Sequence, residues 1–250
     1  CKGENTPSFE EVARRTSELC MVAEKYAPDL DSICYVIGTE VPIPGGETET
    51  IDTLQVTSPD RLDRTIETHI QAFKEKNLQA ALSRIVSVVV QPGVDFSHTA
   101  VTQYSKSSAK KLVDQLSKYK DIAFEAHSTD YQQTTGLANL VADHHLFLKV
   151  GPELTFALRE ALFLLAKIED ELFKDKASNL IQVVFKTMDN NPKDWINYYH
   201  GSIDEQQFLK HYSYSDRIRY YWDHPDVNSA INKMIKNLDN VDIPEFVISQ

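Results

Sequence analysis

Apolar positions recur with two different periods along the chain, and the two alternate. Phe9, Val12, Ala13, Leu19, Cys20, Ala23 and Tyr26 fall at helical spacing, which predicts a surface helix over 8–26 with one buried stripe. Ser8 with Glu11 three residues later has the form of a capping box, and Pro28 stops the helix. Ile33-Cys34-Tyr35-Val36-Ile37 is a short apolar run without alternation, the mark of a strand covered on both faces. The pattern then returns. Ser58-Pro59-Asp60 opens a helix carrying Leu62, Ile66, Ile70 and Phe73, with proline where its missing N–H costs nothing. Ile85 to Val90 predicts a second buried strand, 107–119 a helix, and Ile122-Ala123-Phe124 the start of a third strand. A helix over 132–145, a fourth strand over Leu146 to Val150 and a long helix over 153–173 follow. Residues 176–250 read as short helices with aromatic patches and no strand.

Strand and helix in alternation, with apolar strands and polar residues at their C-terminal ends, predict an α/β fold with a parallel sheet and right-handed crossovers. Four such units suit half of a (β/α)8 TIM barrel or a small open sheet. An open sheet would want a glycine-rich first turn. The only adjacent glycines, Gly45-Gly46, sit in a proline-rich loop, so half a barrel is the better reading. The expected organisation is a barrel half over 1–175 and a helical C-terminal extension over 176–250. That extension is expected to pack on the barrel, because its aromatic residues come without strands to build a separate core.

Charge narrows the partners. The 250 residues carry 26 Lys and Arg against 37 Asp and Glu, a formal net charge of −11. A surface that acidic repels phosphate backbones and anionic lipid, so nucleic acid and membrane are poor partners. Leu154 to Ile168 is the longest greasy stretch, but Arg159, Glu160 and Lys167 interrupt it, and it is too short to span a bilayer. Three cysteines without metal-finger spacing (Cys1, Cys20, Cys34) read as reduced thiols in a cytoplasmic protein. The first residue is Cys rather than Met, which suggests a piece of a longer polypeptide.

In a barrel of this type the functional groups stand where strands end. Four clusters occupy those places: Gly38-Thr39-Glu40, Gln91-Pro92-Gly93-Val94-Asp95, Glu125-Ala126-His127-Ser128-Thr129-Asp130 and Lys149-Val150-Gly151-Pro152-Glu153. Carboxylates and amides suit sugar hydroxyls; backbone N–H groups and a cation suit phosphate. The third cluster is the richest, and it reads equally as a ligand-facing strand end or as polar residues closing a strand. His127 alone is more often a satisfied structural histidine than a metal ligand, since a catalytic zinc wants three protein ligands. His144-His145 reads as the end of a helix, at its C-cap or facing solvent, and His69 as core-edge packing. Tyr220-Tyr221-Trp222 reads as tail packing rather than base or sugar stacking. No P-loop, Ser-His-Asp order, CxxC or dinucleotide fingerprint occurs.

Longer strings are similar to one family. Tyr35-Val36-Ile37-Gly38-Thr39-Glu40-Val41-Pro42, Val89-Val90-Gln91-Pro92-Gly93-Val94, Glu125-Ala126-His127-Ser128-Thr129-Asp130-Tyr131, Lys149 to Glu160, and Ser215-Asp216-Arg217-Ile218-Arg219-Tyr220-Tyr221-Trp222 resemble the Z-type subunit of class II D-tagatose-1,6-bisphosphate aldolase, the GatZ/KbaZ family. The resemblance implies a class II aldolase-like TIM barrel, of which this chain supplies the second half, about four βα units, plus the helical tail. It implies a non-catalytic subunit required for stability and full activity of a zinc-bearing Y-type partner, in galactitol or N-acetylgalactosamine catabolism. Catalytic class II aldolases hold zinc through three histidines. Here the strand ending at Gln91 to Asp95 has none, and His98 comes several residues late. Aligning Ser128 with the phosphate-binding serine puts Glu125, not His127, at the zinc position. Gly151 replaces a substrate-holding asparagine. The expectation is therefore no catalytic residue, no metal and no cofactor in this chain, with zinc in the partner. A phosphorylated ketose is the expected ligand class, with Ser128, Lys149 and the backbone at Gly93 and Gly151 for phosphate, and Glu40, Gln91 and Asp130 for hydroxyls; Glu125 and His127 complete the set. A homo-oligomer stays open. So do two other readings, an enzyme acting directly on tagatose phosphates as aldolase or tagatose-6-phosphate kinase, and a sugar-phosphate sensor.

Overall fold

The structure is a computed structural model that describes residues 7–39, 54–239 and 241–248. In chain order it runs through α1 (Phe9–Tyr26), β1 (Tyr35–Gly38), α2 (Pro59–Glu75), α3 (Gln79–Leu82) and β2 (Ile85–Val90). A short ribbon of β3 (Asp95–Phe96) and β4 (Val101–Thr102) precedes α4 (Lys106–Gln115), β5 (Ala123–Ala126), α5 (Thr134–Ala142) and β6 (His145–Leu148). Then come α6 (Pro152–Phe173), α7 (Leu180–Asn190), α8 (Ile203–Tyr212), α9 (Pro225–Leu238) and α10 (Glu245–Ile248). Two compact units result. The first carries every strand among the described residues; the second comprises the described residues from Gly151 onward together with Ser97–Ala100.

In the first unit β1, β2, β5 and β6 form one sheet in that order, every pair parallel. One row across it, Ile37–Val88–Phe124–His145, is fully buried. Ile37, Val88 and Phe124 pack in one core with Leu62, Ile66 and Phe73 of α2 and Leu112 of α4. Each such side chain contributes roughly 1.5–3 kcal/mol of burial. The next row, Gly38–Val89–Glu125–Phe147, projects from the opposite face by the pleat, and β6 joins it through a register shift that skips Leu146. Gly38 is needed there, because a Cβ would sit 2.7 Å from Val89 Cβ. Among the described residues β1 and β6 are each paired on one side only, and Val36, Leu146 and Phe147 on them are exposed.

Three expectations change. The stripe predicted along α1 splits: Ala13 and Cys20 are buried with Ser17, whereas Leu19 and Tyr26 point outward. The helix expected over 132–145 ends at Ala142, because His144 turns left-handed at φ 65°. His145 therefore opens β6 as a fully buried ring between Tyr104 and Phe124. The domain boundary also moves. Helix α6, placed with the barrel half from sequence, shares a hydrophobic core with α7 and α9, so the C-terminal unit has a core of its own without strands.

That second core gathers Leu180, Val184, Met188, Ile218, Val227 and Met234. Aromatic residues of the extension line it: Tyr221 and Trp195 are buried, and the Trp195 indole donates to Met188 O at 2.8 Å. Buried charge is compensated locally. Glu169 accepts from Ser178 N (2.9 Å), Ser178 Oγ (2.5 Å) and Asn237 Nδ2 (2.6 Å), and Arg159 Nε pairs with Asp216 Oδ1 at 2.7 Å. No helix among the described residues is long and apolar enough to cross a membrane.

Candidate functional site

The first unit brings most of the expected residues to the C-terminal ends of β2, β5 and β6, and it spends some of them on itself. Gln91 Oε1 accepts from Gly93 N at 2.8 Å and from Val94 N at 3.0 Å. Thr57 clamps the same residue: its Oγ1 accepts from Gln91 N (2.8 Å) and its N–H donates to Gln91 O (2.9 Å). Gly93 sits at φ 93°, where other residues are strained. The Gln91 oxygen and the Gly93 amide, expected to meet hydroxyl and phosphate, are thus committed to each other. Asp130 is buried as well. Glu40 lies outside the described residues.

What faces the open side of the sheet is a pair. Glu125 and His127 stand two residues apart on β5 and its continuation, hence on one face. His127 Nε2 and Glu125 Oε1 are 2.8 Å apart, with 17% and 18% of the side chains exposed. A cavity of about 500 Å³ is lined by Glu125, Leu146, Phe147, Leu148 and Lys149. Leu148 packs beside Val94 and Leu140, so alternation turns Phe147 and Lys149 toward the face that carries Glu125.

The loop after β5 is held in a demanding conformation. Ser128 and Tyr131 both adopt positive φ, 54° and 60°, a region that costs a non-glycine residue of order 1 kcal/mol or more. Surrounding contacts over-determine it. Thr129 N and Oγ1 both donate to Lys149 O (3.2 and 3.0 Å), and Tyr131 meets Phe96 edge-on at 5.4 Å. Gln132 bridges Tyr104 N (2.9 Å) and Thr102 O (2.9 Å). These supporting residues were not anticipated. Thr129 was within reach of sequence reasoning, as the hydroxyl beside Ser128; Thr57 and Gln132 carried no local signal.

Metal binding finds little here. Among the described residues no three His, Cys, Asp or Glu side chains cluster closely enough to share an ion. His69 and His145 are buried in the core, each with Nδ1 near a backbone carbonyl, Thr65 O at 2.7 Å and Leu140 O at 3.2 Å. Desolvation lowers both, and His145 falls to about 4. His98 is engaged inside the second unit: Nε2 lies 2.9 Å from Tyr198 O, and Nδ1 lies 3.2 and 3.1 Å from the Ser213 and Ser215 hydroxyls. Gly151, also in that unit, is exposed with open space where a Cβ would stand.

A family model described as D-tagatose-1,6-bisphosphate aldolase subunit GatZ/KbaZ-like matches residues 1–250. The chain belongs to that family. Its curated relatives include proteins of Salmonella typhimurium and Salmonella agona named D-tagatose-1,6-bisphosphate aldolase subunit GatZ, each 46% identical over 242 residues. The match covers 96% of this chain and 57% of each relative, so the chain spans little more than half their length. A solved structure, of a probable tagatose 6 phosphate kinase from Sinorhizobium meliloti 1021, superposes with a TM-score of 0.90 at 41% identity, over 100% of this chain and 60% of that one. The α/β fold with its parallel sheet is thus shared with that structure.

Proposed function

We propose that this chain is the later half of a (β/α)8 barrel with a helical extension, working in the cytoplasm as part of the non-catalytic subunit of a class II D-tagatose-1,6-bisphosphate aldolase. The observation that carries the reading is the family match along the whole chain, joined to relatives named as a subunit of that aldolase. Among the described residues the sheet has two open edges with exposed apolar residues, which favours a barrel completed by further polypeptide, because closure removes such edges.

In this reading the zinc and the aldol chemistry belong to a Y-type partner subunit. A zinc ion held there would supply Lewis-acid chemistry. This chain contributes by mass action: a subunit that binds the folded partner and not its unfolded form raises the partner's stability. The strand-end face then serves as a ligand surface without chemistry, with Ser128, Lys149, Glu125 and His127 left to meet a phosphorylated ketose. The test is the partner's thermal inactivation, followed while the longer polypeptide that carries this chain is titrated in. A half-life that rises and saturates supports the reading; one that stays flat at saturating concentrations contradicts it.

A second reading, direct action on tagatose 6-phosphate as a kinase, is favoured by the name of the solved relative. Formation of ADP from ATP that depends on tagatose 6-phosphate, by the same polypeptide without its partner, distinguishes it.

A further inference from the structure

Helix α1 carries two apolar faces, and the described residues fill only one. Ala13, Ser17 and Cys20, at helical spacing, form the buried face. Leu19, Val22 and Tyr26 recur at i, i+3 and i+7 about 150° round the helix from it, nearly opposite, and they are 73%, 52% and 71% exposed. The strip extends over seven residues, about 10 Å of helix, which is the length of one helix–helix crossing at 8–10 Å axial separation. Arg14 reaches Glu11 and Glu18 at 2.8 Å to one side of it, and Arg15 reaches Glu11 at 2.6 Å one turn before it, so the apolar strip occupies the second half of the helix. Such a face on a helix that already packs inward belongs to an interior member of a helix layer rather than its last one. The strand that α1 leads into, β1, has an unpaired edge among the described residues, and Val36 on it is exposed.

We propose that Leu19, Val22 and Tyr26 form a packing seam for an amphipathic helix from the part of the polypeptide that longer relatives possess and this chain does not span. The inference rests on the half-barrel reading and adds to it the residues at which the helix layer continues. Three observations select this occupant. The solved relative has 40% of its length beyond the match, ample for further βα units. The open edge of β1, the strand that α1 leads into, is that of a parallel sheet, and continuing it needs a strand delivered by a crossover, which brings a helix with it. A second copy related by a two-fold axis would offer its own β1 antiparallel, which does not continue that wrap.

The test is thiol labelling in the longer polypeptide, in a Cys34→Ser background because Cys34 is exposed while Cys20 is buried. Leu19→Cys and Tyr26→Cys report the seam, Met21→Cys reports a part of α1 away from it, and Val36→Cys reports the strand edge. The expected result is labelling of positions 19 and 26 at least tenfold slower than position 21, at any protein concentration. Because Leu19 is more exposed than Met21 in this chain, an open seam would give the reverse order and overturn the proposal. Protection that appears only at high protein concentration, or only when a partner subunit is added, also overturns it. Fast labelling at 19 and 26 with position 36 protected removes the seam and leaves the barrel reading standing; fast labelling at all three removes both.

Discussion

Acid should destabilise the strand-bearing unit through His145. Its ring is fully buried between Tyr104 and Phe124, and Nε2 has no hydrogen-bond partner. Desolvation dominates and takes the imidazole down to about 4 from an ordinary 6.5. The unfolded chain therefore binds a proton that the folded chain refuses between those values. Stability is fully present above about pH 6.5 and is lost as the pH falls toward 4. Each pH unit of separation is worth about 1.4 kcal/mol, so the loss is about 2 kcal/mol between pH 7 and pH 5 and about 3 kcal/mol in the acid limit. His69 is lowered by burial too and adds loss of the same sign, so the variant must isolate one ring. His145→Phe keeps an aromatic ring in the gap, removes the orphaned nitrogen and gives up the contacts with the Leu140 and Asp143 backbone. The readout is urea unfolding followed by reactivity of the buried Cys20 thiol, in a background without Cys1 and Cys34. It reports this unit, whereas both tryptophans lie in the other. The variant should lose about 2 kcal/mol less than the parent between pH 7 and pH 5. Identical pH dependence in the two would show that His145 is not held neutral by burial.

Other outcomes follow from single contacts. Arg159→Met strands the buried Asp216 carboxylate and should cost about 3–5 kcal/mol; adding Asp216→Asn should recover part of it, both read by tryptophan fluorescence in urea. Ser202→Ala removes one arm of the capping box that starts α8 and should cost about 1 kcal/mol, measured the same way. Gly93→Ala forces a side chain into φ 93° with Val56 Cγ2 3.1 Å from its Cβ and should cost at least about 1–2 kcal/mol, read by Cys20 protection. Ser128→Leu should weaken tagatose 6-phosphate binding in calorimetry by about 1.5–3 kcal/mol, while a chelator leaves binding unchanged.

The sheet was legible because buried parallel strands are written as unbroken apolar runs; Ile85 to Val90 matches β2 at both ends. Boundaries that depend on one backbone conformation were not. His144 and His145 continue a helical pattern in sequence, and only the left-handed turn at His144 shows where the helix stops. The exposed face of α1 was misread for a different reason: at about 100° per residue Leu19 and Tyr26 stand about 100–120° from Cys20, so the apolar positions taken as one stripe wrap more of the helix than one neighbour can bury. In the candidate site the strand ends were legible as positions and not as roles. Gln91 and Gly93 have the right chemistry for a ligand, yet a hydrogen bond between them two residues apart is the cheaper use of both groups. The Glu125–His127 pair follows from alternation along a strand, whereas the support from Thr57 and Gln132 spans 34 and 30 residues of chain.

The account turns on a subunit that aids aldol cleavage without performing it. The direct measurement is cleavage of D-tagatose 1,6-bisphosphate by the longer polypeptide carrying this chain, assayed alone, then with the Y-type partner, with zinc content determined on the same samples. The account predicts no turnover and no stoichiometric zinc for the polypeptide alone, and higher, longer-lived activity in the mixture than in the partner by itself. Turnover by the polypeptide alone, with zinc bound, would contradict it and would return Glu125 and His127 to a working metal site.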